Sequence, residues 1–269
     1  MKKLFLLGAM VCALGMMTAE AQRQTILVAP SLESENLKGP VRVVQTATVD
    51  IESNEEVFPW TKTMAFKKSG RLYYSAEKDP HFLIWEKFYS TNTNNQLTHI
   101  CQPPLGVYEY HYNDGRLQYV SFLYSEHPEE GMDTLWVTEY NVDGLPSIIR
   151  CSKFDRYDFD YYPNGVLKKE TQWRGLDLGA PSEIYFYNEH GQLDSIIWGW
   201  RCTTYSRDER GDVLKQAFGT IHGTNFDNEL SVTTYRYLQY DNHGNWLLRE
   251  ITNSDGSIWR EQRQIIYYE

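Results

Sequence analysis

The chain has 269 residues and a formal net charge of −10 at pH 7, with 36 acidic against 26 basic side chains. A chain of this length can bury the core of one large β domain or of two small ones. The acidic balance argues against binding to a nucleic-acid backbone or to anionic lipid, because both need clustered Lys and Arg. Aromatic residues are the one compositional excess, with 20 Tyr and 8 Trp.

Residues 1–21 have the three parts of a secretory signal peptide. Two lysines follow the first Met, an apolar run extends to about Met17, and Ala19-Glu-Ala21 is a small-x-small cleavage site. The apolar run is too short to cross a bilayer. We therefore expect an exported protein, located in the periplasm, at the cell surface or outside the cell, with no membrane span and a mature chain that begins near Gln22.

The next segment leads into the repeats. Residues 22–40 contain Gly39, Pro40 and few periodic apolar positions, which predicts a loosely ordered lead-in segment. The alternation of β-branched residues over 41–51 predicts the first strand. We expect residues 41–269 to form a single domain of β-hairpin repeats.

A turn signal recurs along the remaining chain and divides it into hairpins. In Tyr108–Leu117, alternating aromatic residues lead into Asn-Asp-Gly and a return strand. The Asn or Asp side chain bonds to the turn backbone, and Gly takes the positive φ that closes a hairpin. The turn positions are Gly70, Asn95, Gly115, Gly144, Gly165, Gly191, Gly211 and Gly244. Two strands in each interval predict about 18 strands, with their glycine turns at one end of the sheet.

The repeated pattern Tyr-Asp/Asn-x-x-Gly-x-Leu-x-x-Ile/Val resembles the YD repeat, also called the RHS repeat. Its copies are at Tyr108–Val120, Tyr157–Leu167, Tyr185–Ile196 and Tyr237–Leu248. The opening Leu37–Val44 is similar to the first strand of exported bacterial proteins that carry such repeats. The resemblance implies hairpins stacked into one curled or spiralling sheet, in a family whose large members build toxin-enclosing shells and surfaces for adhesion and carbohydrate binding.

We predict an all-β fold in which a large antiparallel meander of repeated hairpins forms a curled or spiralling sheet. The alternative is a β-propeller, because a four-strand unit of about 45 residues is also the size of a propeller blade. The turn signal recurs every two strands rather than once in each blade, and this favours the continuous meander.

No catalytic motif stands out in the sequence. The seven His lack metal-ligand spacing, and neither a Gly-x-Ser-x-Gly nucleophile motif nor a Gly-rich phosphate loop is present. Asp158 and Asp160 would share one face of a strand, as a carboxylate pair of a glycoside hydrolase or a calcium site would, but a solvated strand face is the favoured interpretation. We expect no cofactor and no metal.

The three cysteines of the predicted mature chain are Cys101, Cys151 and Cys202. An odd number in an exported protein leaves at least one thiol free or paired between chains. Cysteine is among the most often buried residues, so the favoured interpretation is buried thiols at equivalent positions of the repeat.

Binding is assigned to the long loops opposite the glycine turns. Trp173, Trp198 and Trp200 lie in or beside these loops, and loops presented by a rigid sheet commonly carry function. The tyrosines follow the repeat, so we expect them to form a cross-strand aromatic ladder.

The leading hypothesis is therefore an exported, non-enzymatic binding or scaffold protein of the bacterial cell envelope that contacts a glycan or a protein. One alternative is a secreted glycan-active hydrolase that uses the Asp158 and Asp160 pair or other carboxylates. A third hypothesis is a purely architectural protein that self-associates through the edge strands of its sheet. The oligomeric state is not predicted.

Overall fold

The computed structural model describes Leu27 and residues 30–50, 61–78, 84–94, 96–103, 105–124, 132–151, 155–174, 180–222 and 225–269. The predicted signal peptide, residues 1–21, and the predicted turn residue Asn95 lie outside these ranges. The described residues form 18 strands and no helix. None of their segments is a helix with the length and apolar character needed to cross a membrane.

The strands follow one another along the sheet in chain order, and every pair is antiparallel. Their bounds are β1 Val41–Asp50, β2 Thr61–Phe66, β3 Leu72–Lys78, β4 Ile84–Thr91, β5 Leu97–Gln102, β6 Gly106–Asn113, β7 Arg116–Tyr124, β8 Met132–Tyr140, β9 Pro146–Cys151, β10 Arg156–Tyr161, β11 Leu167–Trp173, β12 Glu183–Tyr187, β13 Leu193–Trp198, β14 Arg201–Arg207, β15 Val213–His222, β16 Asn225–Tyr240, β17 Trp246–Asn253 and β18 Ile258–Tyr267. The predicted all-β class and strand number are thus confirmed.

The sheet closes on itself, because β1 pairs with both β2 and β18. The register with β18 runs from Val41 opposite Tyr267 to Asp50 opposite Trp259. The protein is therefore a closed antiparallel barrel, and the predicted curled or spiralling sheet is wrong, as is the propeller alternative. The turn motif predicts only the pairing of strands that are neighbours in the chain. Closure instead joins the two ends of the chain, as in the bond from Thr48 to Glu261, 213 residues away.

Apolar side chains fill a large part of the barrel. A barrel of 16 to 18 strands that stays round leaves an open channel. Here a buried cluster runs from β1 to β11, with Phe66, Leu72, Val120 and Ile149 fully buried. The interior of this barrel is therefore partly filled by side chains.

Although Gly256 turns the chain from β17 to β18 at the opposite end, the seven described glycine turns of the predicted repeat lie at one end of the barrel, here called the glycine rim. They join β2–β3, β6–β7, β8–β9, β10–β11, β12–β13, β14–β15 and β16–β17, with glycine φ angles of 76–86°. In the β16–β17 turn, Asp241 Oδ1 accepts the backbone N–H groups of His243 and Asn245, both at 2.9 Å. Asn141, Asn188 and Asp208 cap their turns in the same way. Gly at the left-handed position then gives a bulge that sets the strand register.

Tyrosines that precede the glycine turns connect neighbouring turns. The Tyr112 hydroxyl donates to the carbonyl of Leu97, the first residue of β5, at 2.9 Å. The same bond joins Tyr140 to Leu117 in β7, Tyr161 to Pro146 in β9 and Tyr237 to Val213 in β15. Because the bond recurs with the motif, the tyrosine excess has a structural role in the repeat. Ring pairs such as Tyr108 with Phe122, centroids 4.3 Å apart, add the cross-strand contacts of a ladder.

Residues 30–38, here called the plug, lie across the glycine rim. Leu32 donates its N–H to the carbonyl of Gly70 in the β2–β3 turn at 3.0 Å. Across the rim, Lys38 N–H donates to Asn245 Oδ1 at 2.7 Å, and Asn245 Nδ2 donates back to the Lys38 carbonyl at 2.8 Å. The plug is thus held at turns that lie far apart in the chain. This part of the predicted lead-in segment is not loosely ordered.

Candidate binding sites at the two ends of the barrel

The end opposite the glycine rim carries the three predicted tryptophans and is here called the tryptophan rim. Trp173 ends β11, and its indole N–H donates to Asp158 Oδ2 at 2.9 Å. The other oxygen of Asp158 accepts Arg156 Nε at 2.5 Å. Asp158 alternates with the buried Phe159, so this group lies on the outer face of the barrel. Trp173 is therefore held in a fixed position on that face.

At the same rim, Trp198 ends β13 and Trp200 lies in the β13–β14 turn. Trp198 shares a strand face with the buried Ile196, and its ring is nearly parallel to that of Phe218, with centroids 5.8 Å apart. Trp200 is 60% exposed in the turn, under the Arg201 guanidinium at 4.8 Å. Only β12 separates β11 from β13, so Trp173 lies about two strand spacings, roughly 10 Å, from Trp198. The three rings share a rim but face outward, inward and toward the tip.

The carboxylates of β10 do not form a catalytic pair. Both oxygens of Asp158 have partners, an indole and a guanidinium, as the preceding contacts show. Asp160 lies exposed on the same outer face of the strand. Among the described residues, no group of three or more His, Cys, Asp and Glu side chains has a geometry that could hold a metal ion. Asp158 is thus part of a hydrogen-bonded group on the outer face, and Asp160 lies exposed beside it.

The three cysteines differ in burial, because Cys202 is buried whereas Cys101 and Cys151 are partly exposed. Cys101, Cys151 and Cys202 are free, with no disulfide among the described residues. Cys202 is buried, and burial raises the pKa of its thiol. A raised thiol pKa reduces the thiolate fraction, which is the reactive form.

The second candidate site is a cavity of about 770 Å³ between the plug and the barrel wall, here called the arginine cavity. Its wall includes Arg207, Trp246, Arg249, Glu261 and Arg263, and its outer border includes exposed side chains of the plug and the glycine turns. The volume is that of a small-molecule site in a protein. The cavity thus combines a ligand-sized space with several charged side chains.

Arg249 and Glu261 form a buried ion pair in this wall. Arg249 Nε and Nη2 each lie 2.6 Å from Glu261 Oε2, and the side chains are 17% and 2% exposed. Burial disfavours the charged guanidinium, but Glu261 outweighs it and raises the pKa of Arg249. Thr48 donates its hydroxyl to the other oxygen of Glu261 at 3.3 Å. The charge of Glu261 is therefore compensated within the wall.

Arg263 is a second cation in the same wall and lacks such compensation. Two guanidiniums lie over the buried indole of Trp246, that of Arg263 at 3.6 Å and that of Arg249 at 4.5 Å from the ring centroid. Burial, followed by the nearby charge of Arg249, lowers the pKa of Arg263 to about 10. Within the described chain, the buried Nε of Arg263 has no hydrogen-bond partner and no carboxylate lies within ion-pair distance. Arg263 thus keeps an unused donor and a charge.

Sequence reasoning did not identify this site, although β18 carried a signal. The run Arg260-Glu-Gln-Arg-Gln264 has charged or amide side chains at every position, so neither face of the strand is apolar. A strand of a closed sheet must turn one face inward, so such a run predicts a polar interior. The polar interior can be inferred only once it is known that β18 pairs with both β17 and β1 in a closed sheet.

Comparisons with known proteins give remote structural likenesses. No protein-family model and no curated protein sequence matches the chain. A porin-like protein from Bacteroides uniformis is similar with a TM-score of 0.42 and 14% identity, over 85% of this chain and 99% of that chain. The TcdB2-TccC3-TEV structure has a TM-score of 0.35 and 15% identity, over 78% of this chain. The Tc holotoxin pore of Photorhabdus luminescens has a TM-score of 0.32 and 12% identity, over 82% of this chain.

This chain spans only 11% and 14% of the two toxin chains, respectively. At these scores and identities, none of the likenesses assigns a function. The resemblance of the turn motif to the YD/RHS repeat family therefore stays a prediction.

Proposed function

We propose that the protein is an exported, non-enzymatic binding or scaffold protein of the bacterial cell envelope. In this proposal the closed barrel is a rigid support, and the tryptophan rim is the surface that contacts a glycan or a protein. The observation that carries the proposal is the fixed presentation of Trp173, Trp198 and Trp200 at one rim. Export rests on the signal-peptide pattern of residues 1–21.

The rim has the physical properties of a recognition surface. Trp buries a large area with few rotatable bonds, and it is enriched among the residues that dominate binding energy. Trp173 is held by Asp158, and Trp200 is held against Arg201. Side chains that are already fixed lose less conformational entropy on binding, so more of their contact energy contributes to affinity.

The test is a binding screen of the mature protein against a glycan array and a peptide pull-down library. We expect a ligand whose affinity falls at least tenfold in Trp200→Ala and in Trp173→Ala. Trp136→Ala is the matched control, because Trp136 is 51% exposed on β8 and is not part of the tryptophan rim. Equal losses in all three variants, or no ligand in either screen, would contradict the proposal.

The other two hypotheses find less support in the contacts. A glycan hydrolase would need a carboxylate able to act on substrate, and both oxygens of Asp158 are engaged by neighbours. Self-association through strand edges would need an unpaired edge, and every described strand has a neighbour on each side. A non-enzymatic binding role remains the function that the described contacts support best.

A further inference from the structure

We propose that the arginine cavity binds a small organic molecule with one carboxylate group, of the class of acidic monosaccharides, with Arg263 as the group that pairs with the carboxylate. This site lies at the plugged end of the barrel, opposite the tryptophan rim, and is independent of the function proposed above. It uses the plug residues 30–36 as one wall and β16, β17, β18 and β1 as the other.

The charge of the cavity wall favours an anion. The charged groups that line it include five cations, Lys62, Arg71, Arg207, Arg249 and Arg263, and three carboxylates, Glu33, Glu35 and Glu261. This excess of cations lies inside a protein whose net charge is −10. A small anion would therefore be attracted to the cavity although the protein as a whole repels it.

Ion pairs engage Lys62, Arg207 and Arg249, whereas Arg263 and Arg71 have none among the described residues, and it is Arg263 that stacks on Trp246 with a buried, unpaired Nε. Glu261 is paired with Arg249 at 2.6 Å, and Glu35 lies 3.9 Å from Lys62. Arg263 has no such partner among the described residues. Burying a charge without a partner is costly, and an anion that binds beside it offsets that cost. A monoanion suits the position beside Arg263 better than a doubly charged phosphate, because the nearby Glu35 and Glu261 would repel the second charge.

Trp246 gives Arg263 the orientation that carboxylate recognition requires. A guanidinium 3.6 Å from the ring centroid lies against the face of the indole. Stacking covers the face of the guanidinium and leaves its N–H groups in the plane, where they can bind both oxygens of a carboxylate. Nε of Arg263, buried and without an acceptor in the described chain, is one of those donors.

The volume of the cavity and the apolar residues in its wall indicate an organic ligand rather than an inorganic ion. A cavity of about 770 Å³ is in the range of small-molecule sites and far exceeds the space of a single oxyanion. Met64, Leu167 and Val213 line it together with the charged groups. Buried Nε of Arg207 also has no hydrogen-bond partner among the described residues and supplies a further donor for hydroxyl groups.

Isothermal titration calorimetry on the mature protein tests this proposal, with D-glucuronate and N-acetylneuraminate as probes. D-Glucose is the neutral probe matched to glucuronate, and inorganic phosphate is the anion without a carbon skeleton. We expect saturable binding of at least one carboxylate probe, with glucose and phosphate at least tenfold weaker. Absence of saturable binding for both carboxylates would overturn the proposal, as would equal or tighter binding of phosphate.

Variants assign the binding to this site. Arg263→Met should weaken the carboxylate probe at least tenfold, whereas Arg260→Met should leave it unchanged, because Arg260 lies on the outer face of the same strand beside Glu250, at 3.6 Å. Thermal melting identifies folded variants, and Arg263→Lys, which keeps the charge and loses the planar donors, replaces a Met variant that fails to fold. Unchanged affinity in the folded Arg263 variant refutes the assignment. Trp200→Ala should retain carboxylate binding, which separates this site from the tryptophan rim.

Discussion

Replacing Asn245 with Ala should weaken the attachment of the plug to the glycine rim without opening the barrel. Asn245 is 1% exposed and is located directly after the glycine of the β16–β17 turn. Its side-chain amide bonds to both backbone groups of Lys38, at 2.7 and 2.8 Å, as a neighbouring strand would. Ala removes both bonds and leaves the backbone N–H and carbonyl of Lys38 without partners in this partly buried contact.

The size of the effect follows from these two bonds. A hydrogen bond contributes about 1 kcal/mol net to stability, so two bonds correspond to about 2 kcal/mol. The free energy of local plug opening should fall by this amount, which raises the open fraction about 30-fold because each 1.4 kcal/mol is a factor of ten. Leu37, which is 5% exposed in the core, still favours docking, so the plug should open more often without being lost.

Hydrogen exchange measured by mass spectrometry on peptides that cover residues 30–38 and 106–124 tests this reasoning. Exchange in the plug peptide should be about 30-fold faster in Asn245→Ala, and the β6–β7 peptide should not change. The control is Asn141→Ala, which removes the turn bonds to Asp143 and Leu145 but none to the plug. Unchanged plug exchange in Asn245→Ala, or an equal increase in the control, would refute the role assigned to Asn245.

Three further predictions test the repeat and its turns. Gly115→Ala should lower the free energy of unfolding by about 1 kcal/mol, because φ is +78° and the new methyl group meets open space. Gly106→Ala should lower it by about 1–3 kcal/mol more, because its methyl group would lie 2.2 Å from a carbonyl oxygen of β7. Similar urea midpoints for the two variants would contradict this ranking. Tyr112→Phe removes the bond to Leu97 and should lower the unfolding free energy by about 1 kcal/mol in urea titration, and no loss would mean that this bond is not structural. Partial burial opposes ionisation of Asp241, but hydrogen bonds from Tyr267 and from the turn N–H groups outweigh it and lower the pKa of Asp241 below 3.8. The ionised Asp241 therefore stabilises the fold at neutral pH, and this stabilisation is lost as the pH falls through the lowered pKa. Wild type should therefore lose more stability than Asp241→Asn between pH 7 and about pH 3, and an equal loss would contradict the shift.

The repeat could be read from the sequence because its causes are local. An Asn or Asp that caps its own turn, a glycine with positive φ three residues later and an apolar residue after it are all contained in a few positions, as at Asp241–Asn245. These signals gave the hairpins, the strand number and the common end of the glycine turns. They also placed Trp173, Trp198 and Trp200 at the opposite end.

The order of the plug and the role of the polar strand β18 depend on residues that are distant in the chain. The plug residues contain few periodic apolar positions, and their order comes from turns such as Gly70 and from Asn245. Arg263 in isolation is an ordinary charged residue of a polar strand. Its role as an uncompensated cation beside Trp246 exists only once β17, β18 and β1 lie side by side.

The sequence by itself determined the antiparallel hairpins and their spacing, because each turn is stabilised by residues within it. Only the tertiary structure decided that the sheet closes, since the pairing of β1 with β18 joins chain ends whose complementarity no local pattern reports. Closure gives the barrel an interior, and that interior brings Arg249, Glu261 and Arg263 together under the plug.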